Sequence, residues 1–417
     1  MRLIQHRLSY LFILTVGSFC AAPAMWGQTP TIGNCSVLPP NNIWNTAVDQ
    51  LPLSASSSSW ISSIGATSAI HPDFGAAYWD GAPNGIPFVT VPGGQEKFPA
   101  TFTYADESDP GPYAVPLTAP IEGGSASSGD RHVIAVDTDN CILYELYTAY
   151  PQSASWNAGS GAIYDLRSNA LRPAGWTSAD AAGLPIFPGL LRYDEIAAGA
   201  INHALRFTVP QTQNTYVWPA RHEASSQNST QYPPMGARFR LKASFDISGF
   251  SPANQVILRA LKKYGMMIAD NGSPWYLSGA PDSRWSDDDL HLLTTIQGSN
   301  FEAVDVSSLM VDPNSGQAAL AGVTVTVSPS TATVALGATK QFSATVTNSS
   351  GTSVSWSVNG VPGGNGAVGT INALGVYFAP SVMPSTSSVI VEAASTITPS
   401  AFATATVTLT KPARRHK

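Results

Sequence analysis

The composition of the chain changes abruptly near residues 312–316, and this break constrains the fold more than any other feature. Before it, charged and aromatic residues are mixed with many glycines and prolines; after it, charges almost vanish and Ala, Val, Ser and Thr dominate. Short alternating runs such as Val323–Ser328 and Ala403–Leu409 follow, as expected of strands buried on one face. The sequence therefore predicts a first domain over residues 30–312, a β-sandwich over 320–410 and a basic tail over 411–417.

The second domain carries a more specific pattern. Val327–Ala344 reads VSPSTATVALGATKQFSA, and Val354–Val358 reads VSWSV around a central Trp. This pattern resembles the bacterial immunoglobulin-like group 2 domain over the last quarter of the chain. The resemblance implies a spacer or adhesive module on an exported protein.

The N-terminus has the pattern of a secretory signal peptide. A charged start over Met1–Arg7 precedes the apolar run Leu11–Val16 and the small-residue site Ala22-Pro23-Ala24. We expect residues 1–24 to be removed and the protein to be secreted, either extracellular or at the cell surface. No later stretch is long and apolar enough to predict a transmembrane segment.

Two cysteines, Cys35 and Cys141, lie outside the predicted signal peptide. In an exported protein such a pair usually forms a disulfide. We expect a bridge that ties the irregular N-terminal arm to a central strand.

The first domain is predicted to be rich in strands. One helix is clearly predicted, with Ser251 as its N-cap, Pro252 in its first turn and Gly265 as the residue that ends it. A few short helices against many strands predict a β-sandwich or barrel-like domain. It resembles secreted bacterial proteins found beside carbohydrate-active enzymes. The predicted strands are Phe98–Tyr104, His132–Asp137, Cys141–Tyr150, Gly161–Leu166, Ala204–Val209, Thr215–Trp218, Ala237–Ala243 and Met266–Asp270.

The charge balance narrows the classes of partner. Only 12% of residues are charged and the formal net charge is -6, which argues against nucleic-acid binding because that needs a basic surface. Ten tryptophans and 14 tyrosines are compatible with stacking on sugar rings.

A first predicted hairpin carries two histidines. If Ala204–Val209 pairs with the segment ending at His222, then His203 faces His222 at about 5 Å between Cβ atoms. Two imidazoles so placed would suit proton transfer, metal binding or anion capture, or form a purely structural pair.

A second predicted hairpin brings an acid near a histidine. With Asp139-Asn140 as a two-residue loop, His132 lies opposite Tyr147 and Glu145 shares their face; with Thr138-Asp139 as the loop, His132 lies opposite Glu145. Glu145 sits in an apolar strand, where a carboxylate must find a partner or shift its pKa upward. The structural alternative is an ion pair with Arg131 or Arg206.

These residues support a polysaccharide-acting enzyme, either a lyase or a glycoside hydrolase. In a lyase, a His or Tyr removes a proton while an arginine neutralises the uronate carboxylate; in a glycosidase, Glu145 is the acid and Asp130 or Asp270 the second carboxylate. The alternative is a non-catalytic extracellular glycan-binding or adhesion protein. The candidate catalytic residues are His203, His222, His132, Glu145 and Tyr147, and the candidate substrate-binding residues are Arg131, Arg221, Arg206, Asp130 and Asp270.

The same histidines and carboxylates would equally suit a divalent metal ion. A nucleophile elbow, phosphate loop, HExxH and CxxC are absent from the sequence. This removes the common lipase-like, nucleotide-binding and zinc-protease interpretations.

Overall fold

The computed structural model describes residues 29–79, 81–319, 324–347, 352–396, 399 and 401–412. The predicted signal peptide over residues 1–24 and residues 413–417 of the predicted basic tail lie outside this set. The described chain is mainly β, with 34% of residues in strands and 13% in helices, which confirms the fold class expected from the sequence.

The strands described before residue 320 are short. They are β1 (Thr31–Ile32), β2 (Cys35–Ser36), β3 (His71–Asp73), β4 (Tyr78–Trp79), β5 (Ala82–Pro83), β6 (Phe88–Val91), β7 (Ala100–Phe102), β8 (Val133–Asp137), β9 (Ile142–Tyr147), β10 (Tyr150–Pro151), β11 (Trp156–Ala158), β12 (Ser160–Asp165), β13 (Leu205–Val209), β14 (Arg238–Leu241), β15 (Met266–Asn271), β16 (Tyr276–Ser278) and β17 (Phe301–Val304).

The helices of the same part are also short. The α-helices are α1 (Ser57–Ile64), α2 (Tyr193–Ala197), α3 (Pro252–Lys263) and α4 (Asp287–His291), and 3-10 turns lie at Ile43–Asn45, Ala105–Glu107, Phe187–Gly189, Leu292–Thr295, Gly298–Asn300 and Ser307–Leu309.

Helix α3 shows how local sequence sets its bounds. The Ser251 side chain accepts a hydrogen bond from the Asn254 amide, and Pro252 fills the first turn, where no amide donor is needed. Gly265 follows with a φ of 65°, a conformation that favours glycine and redirects the chain into β15. The predicted helix is confirmed.

Two sheets build the larger core. One has six strands in the order β17-β14-β15-β13-β16-β3, and in it β13 runs parallel to β15. The other has four strands in the order β12-β9-β8-β6. A three-stranded sheet, β10-β11-β7, lies beyond it.

The four-stranded sheet is covered on both faces, as its strand β8 shows. Ile134 and Val136 belong to the hydrophobic cluster that also contains Phe207 of the six-stranded sheet. Val133 and Ala135 alternate with them and pack in a second cluster with Trp156 of the three-stranded sheet. Burial on both faces explains why this strand is almost continuously apolar.

The residues described after 323 form sheets of their own. The five-stranded sheet has the order β19-β28-β27-β22-β23, the four-stranded one β20-β26-β25-β24, and β18 pairs with β21. Phe342, Trp356 and Tyr377 anchor a hydrophobic cluster that runs from Val325 to Leu409. The strands are β18 (Thr324–Ser328), β19 (Thr331–Ala335), β20 (Thr339–Gln341), β21 (Ser343–Thr347), β22 (Val354–Val358), β23 (Val361–Pro362), β24 (Gly364–Asn365), β25 (Gly369–Ile371), β26 (Val376–Phe378), β27 (Ser388–Ser395) and β28 (Phe402–Thr410).

The helices in the described part of the chain are too short or too polar to cross a bilayer.

A disulfide joins Cys35 to Cys141, as expected from the sequence, and the two cysteines are 106 positions apart in the chain. It fixes the N-terminal strand β2 to the turn between β8 and β9. Such a bond is compatible with an extracellular location.

Replacing both cysteines, as in a C35S/C141S variant, should lower the free energy of unfolding by about 2–4 kcal/mol, because the bridge closes a long loop in the unfolded chain. Thermal unfolding followed by tryptophan fluorescence measures the change. Reductant should lower the midpoint of the unmodified protein and leave that of the variant unchanged. Equal midpoints for the unmodified protein and the variant in the absence of reductant would contradict the expectation.

Candidate functional site

A cleft of about 450 Å³ opens where the ends of the two larger sheets meet. The end of β9 and the start of β12 form one side, and the carboxyl end of β15 forms the other. Carboxylates, a histidine and two tyrosines dominate the lining, and no lysine or arginine is among its described residues. The lining residues are Tyr104, Glu107, Asp130, Tyr147, Ser160, Thr177, Ser178, Ala179, Asp180, Ala181, His222, Ala224, Asp270 and Asn271.

Asp270 is the carboxyl group with the most perturbed proton affinity in this cleft. Burial raises its pKa to about 7, and the negative charges of Asp180 and Asp130 act in the same direction. The guanidinium of Arg206, 3.7 Å away, opposes them only in part. About a quarter of the Asp270 side chain stays exposed, so its proton is accessible from the cleft.

Arg206 and Asp180 form a buried ion pair beneath the cleft floor. Nε of Arg206 donates to one oxygen of Asp180 at 2.6 Å and Nη2 donates to the other at 2.7 Å. The remaining Nη1 donates to the Ser278 hydroxyl. This two-pronged geometry is the strong form of an arginine–carboxylate pair.

Backbone hydrogen bonds hold the loop that carries Asp180. The Ala182 amide donates to the Ala269 carbonyl of β15 at 2.9 Å, and the Ser178 hydroxyl donates to the carbonyls of Asp180 and Leu184. The loop over residues 177–182 is therefore fixed to the six-stranded sheet.

Glu107 and His222 form the opposite wall. One oxygen of Glu107 accepts a hydrogen bond from the Thr177 amide at 3.0 Å. Nδ1 of His222 donates to the Ala181 carbonyl at 2.8 Å, which turns Nε2 toward Glu107 at 3.8 Å. In neutral His222 the unprotonated Nε2 is thus the atom that faces the carboxylate.

The second hairpin is confirmed in the register that has Asp139-Asn140 at the turn. Val133 pairs with Leu146, so His132 comes opposite Tyr147, and their rings lie 5.8 Å apart. Tyr147 lines the cleft, whereas His132 lies beneath it and is 1% exposed.

His132 is held as an imidazolium. Nδ1 donates to Glu122 at 2.6 Å and Nε2 donates to the Ala179 carbonyl at 3.0 Å, so both ring nitrogens face acceptors. Although burial opposes the charge, Glu122 raises the pKa of His132 to about 9. This pair supports the cleft floor from below.

Glu145 shares a sheet face with His132 and Tyr147 but does not reach the cleft. It is fully buried, and its carboxylate accepts hydrogen bonds from the Ile186 and Phe187 amides at 2.8–3.0 Å. Burial raises its pKa to about 7, against those two donors. The ion pair with Arg131 or Arg206, the structural alternative for Glu145, is not formed, because backbone amides take that place.

The expectation that His203 faces His222 was wrong. Both edges of β13 are occupied, by β15 and β16, and the predicted strand Thr215–Trp218 is not formed. His203 is 1% exposed and bonds to Glu195 and the Ala204 carbonyl. Of the two histidines, His222 lines the cleft and His203 does not.

The arginines expected to clamp a substrate are buried and engaged with the protein. Arg131 donates to the carbonyls of Ala149, Ser125 and Ser127, and its guanidinium lies over the Tyr150 ring. Arg221 donates to the Arg172 and Pro313 carbonyls. Arg206 donates to Asp180, so all three arginine side chains stabilise the protein from within instead of facing the cleft.

Neither Glu107 nor Asp180 was assigned to this site from the sequence, because both lie in acidic or loop segments without a strand pattern that would place them. Asp180 precedes Ala181 and Ala182, and its only sequence signal is a charge just before the apolar run over residues 181–187. Asp130 and Asp270, both predicted, line the cleft.

No group of three or more His, Cys, Asp and Glu side chains that would suit a metal ion is found within the described ranges.

A comparison of the chain with protein-family models gives no match. A comparison with curated proteins gives none either.

The Asp180→Asn variant should lower the pKa of Asp270 by about 1 or more, because it removes a like charge and leaves Arg206 free to favour the ionised form. Carbon-13 NMR titration of labelled aspartates measures this directly. Asp165→Asn, which removes a surface carboxylate paired with Arg167, should leave the pKa of Asp270 unchanged. An unchanged or higher value in Asp180→Asn would refute the assignment of cause.

Proposed function

We propose that the first part of the chain is a glycoside hydrolase that cleaves neutral polysaccharides. The observation that carries this proposal is Asp270, which faces the cleft with a pKa of about 7. A carboxylic acid that is half protonated near neutral pH suits the protonation of a glycosidic leaving oxygen. Asp270 takes the acid role that the sequence suggested for Glu145.

Asp130 is the second carboxylate of the proposed mechanism. It is exposed at the cleft, and its negative charge contributes to the raised pKa of Asp270. Two carboxyl groups in unlike surroundings, one protonated and one ionised, are the usual requirement for glycoside hydrolysis. Asp130 then serves as base or nucleophile.

The remaining polar side chains of the cleft suit sugar hydroxyls. Glu107 accepts hydrogen bonds, His222 and the tyrosines both donate and accept them, and Tyr104 is half exposed at the rim. This mixture of acceptors and aromatic rings fits a carbohydrate.

The charge of the lining favours neutral chains over uronate-containing ones. A lyase needs a cation beside the uronate carboxylate, and the arginines expected to supply it are buried and hydrogen-bonded inside the protein. The two solvent-facing carboxylates of the lining, Glu107 and Asp130, have no arginine or lysine partner among the described lining residues and would repel an acidic polymer. His222 and Tyr147 do lie in the cleft, and they are the observation that favours a lyase as the second candidate.

We further propose that the protein is exported and that its chain is modular. The predicted signal peptide and the Cys35–Cys141 bond both support export. The sheets after residue 323, with their resemblance to a bacterial immunoglobulin-like module, would hold the enzyme away from a surface or bind a cell wall.

The purified protein should release reducing ends from at least one of starch, xylan, galactomannan, arabinan or β-1,3-glucan, without absorbance from unsaturated uronate. Absorbance from alginate or pectin would establish the lyase instead. Retention on a polymer without any product would establish a binding protein.

The Asp270→Asn variant should lose about 10²–10⁴ in kcat, the usual contribution of a general acid. In the unmodified enzyme, activity should fall as pH rises through about 7, because the acid must be protonated. Glu145→Gln is the matched control, since Glu145 has a similarly raised pKa but is sealed from the cleft. Full activity in Asp270→Asn would refute the assignment.

A further inference from the structure

We propose that the substrate path continues from the cleft across β13 and β16 to β3. There, His71, Asp73 and Tyr276 bind a sugar unit that lies several sugar units along the polymer from the scissile bond. This inference rests on the proposed function and names its substrate more closely, as an oligomer or polymer rather than a simple glycoside.

The strand register places these side chains on one sheet face. Asp270 lies opposite Thr208, Thr208 opposite Tyr276, and Tyr276 opposite His71. Residues directly opposite each other in neighbouring strands project to the same side of a sheet. The four strands therefore carry a continuous polar row that begins at the proposed acid.

A second row runs beside the first and ends at Asp73. Ser278 pairs with Asp73 in β3, and the Ser278 hydroxyl accepts from Arg206. The charge of Arg206 acts on both Asp270 and Asp73. In the strand order, β13 with Arg206 lies between β15, which carries Asp270, and β3, which carries Asp73.

The far end of these rows offers free hydrogen-bonding groups. Asp73 is exposed and His71 and Tyr276 are partly exposed. In the described part of the chain, the Asp73 carboxylate, the His71 ring nitrogens and the Tyr276 hydroxyl take part in no hydrogen bond, although the two rings stack at 4.2 Å. A carboxylate beside an imidazole and a phenol suits neighbouring sugar hydroxyls.

The spacing sets the size of the ligand. Three strand-to-strand steps separate β15 from β3, about 14 Å at the usual spacing in a sheet. A single sugar held at Asp270 does not extend that far, whereas an oligosaccharide does. The path therefore predicts that affinity and turnover depend on chain length.

The proposed path is tested by measuring polysaccharide binding in a variant that lacks the proposed catalytic acid. In native gels containing starch, xylan, galactomannan, arabinan or β-1,3-glucan, Asp270→Asn should be retarded by at least one polymer. For that polymer, titration calorimetry compares its hexasaccharide with its disaccharide. Adding Asp73→Asn and Tyr276→Phe should weaken hexasaccharide binding about tenfold or more and leave disaccharide binding unchanged.

Asp288→Asn is the control, because Asp288 is an exposed carboxylate on α4 without a hydrogen-bond partner among the described residues. It should change neither affinity, and equal thermal midpoints should show that all variants are folded. Equal hexasaccharide affinity with and without the Asp73 and Tyr276 changes would overturn the path, and so would the absence of retardation by any polymer. Retardation and length dependence without released reducing ends would leave the path standing and refute hydrolysis alone.

Discussion

The buried pair of Arg206 and Asp180 is the interaction on which the rest of the site depends. It joins β13 of the six-stranded sheet to the loop over residues 177–182, which forms the cleft floor. Removing one partner from such a pair leaves a buried charge unmatched, at a cost of about 3–5 kcal/mol. The pair therefore sets the position of the floor as well as its charge.

That pair also determines the chemistry of its neighbour. Since Arg206 is already engaged by Asp180, it neutralises Asp270 incompletely, and burial then keeps the Asp270 proton bound up to about pH 7. A second buried pair, His132 with Glu122, supports the same floor through the Ala179 carbonyl. With these charges paired inside the protein, the described lining of the cleft carries acids and no lysine or arginine.

The sequence was informative where local patterns decide the structure. The caps of α3, the Cys35–Cys141 bond and the hairpin of His132 with Tyr147 depend on residues close in sequence or on a simple pairing rule, and each is present. The strand predicted to pair with β13 was wrong, because the alternation of polar and apolar residues does not reveal which distant strand lies beside it. Arg206 interrupts an apolar strand, and the alternation of polar and apolar residues predicts that such a side chain is exposed. It is buried instead, because it is paired inside the protein.

The crystal structure of the Asp270→Asn protein with a bound hexasaccharide tests the central claim most directly. We expect a glycosidic oxygen within hydrogen-bonding distance of residue 270, Asp130 on the far side of the same sugar, and the chain running toward β3. A hexasaccharide bound elsewhere on the protein, with residue 270 free of contact, would contradict the account.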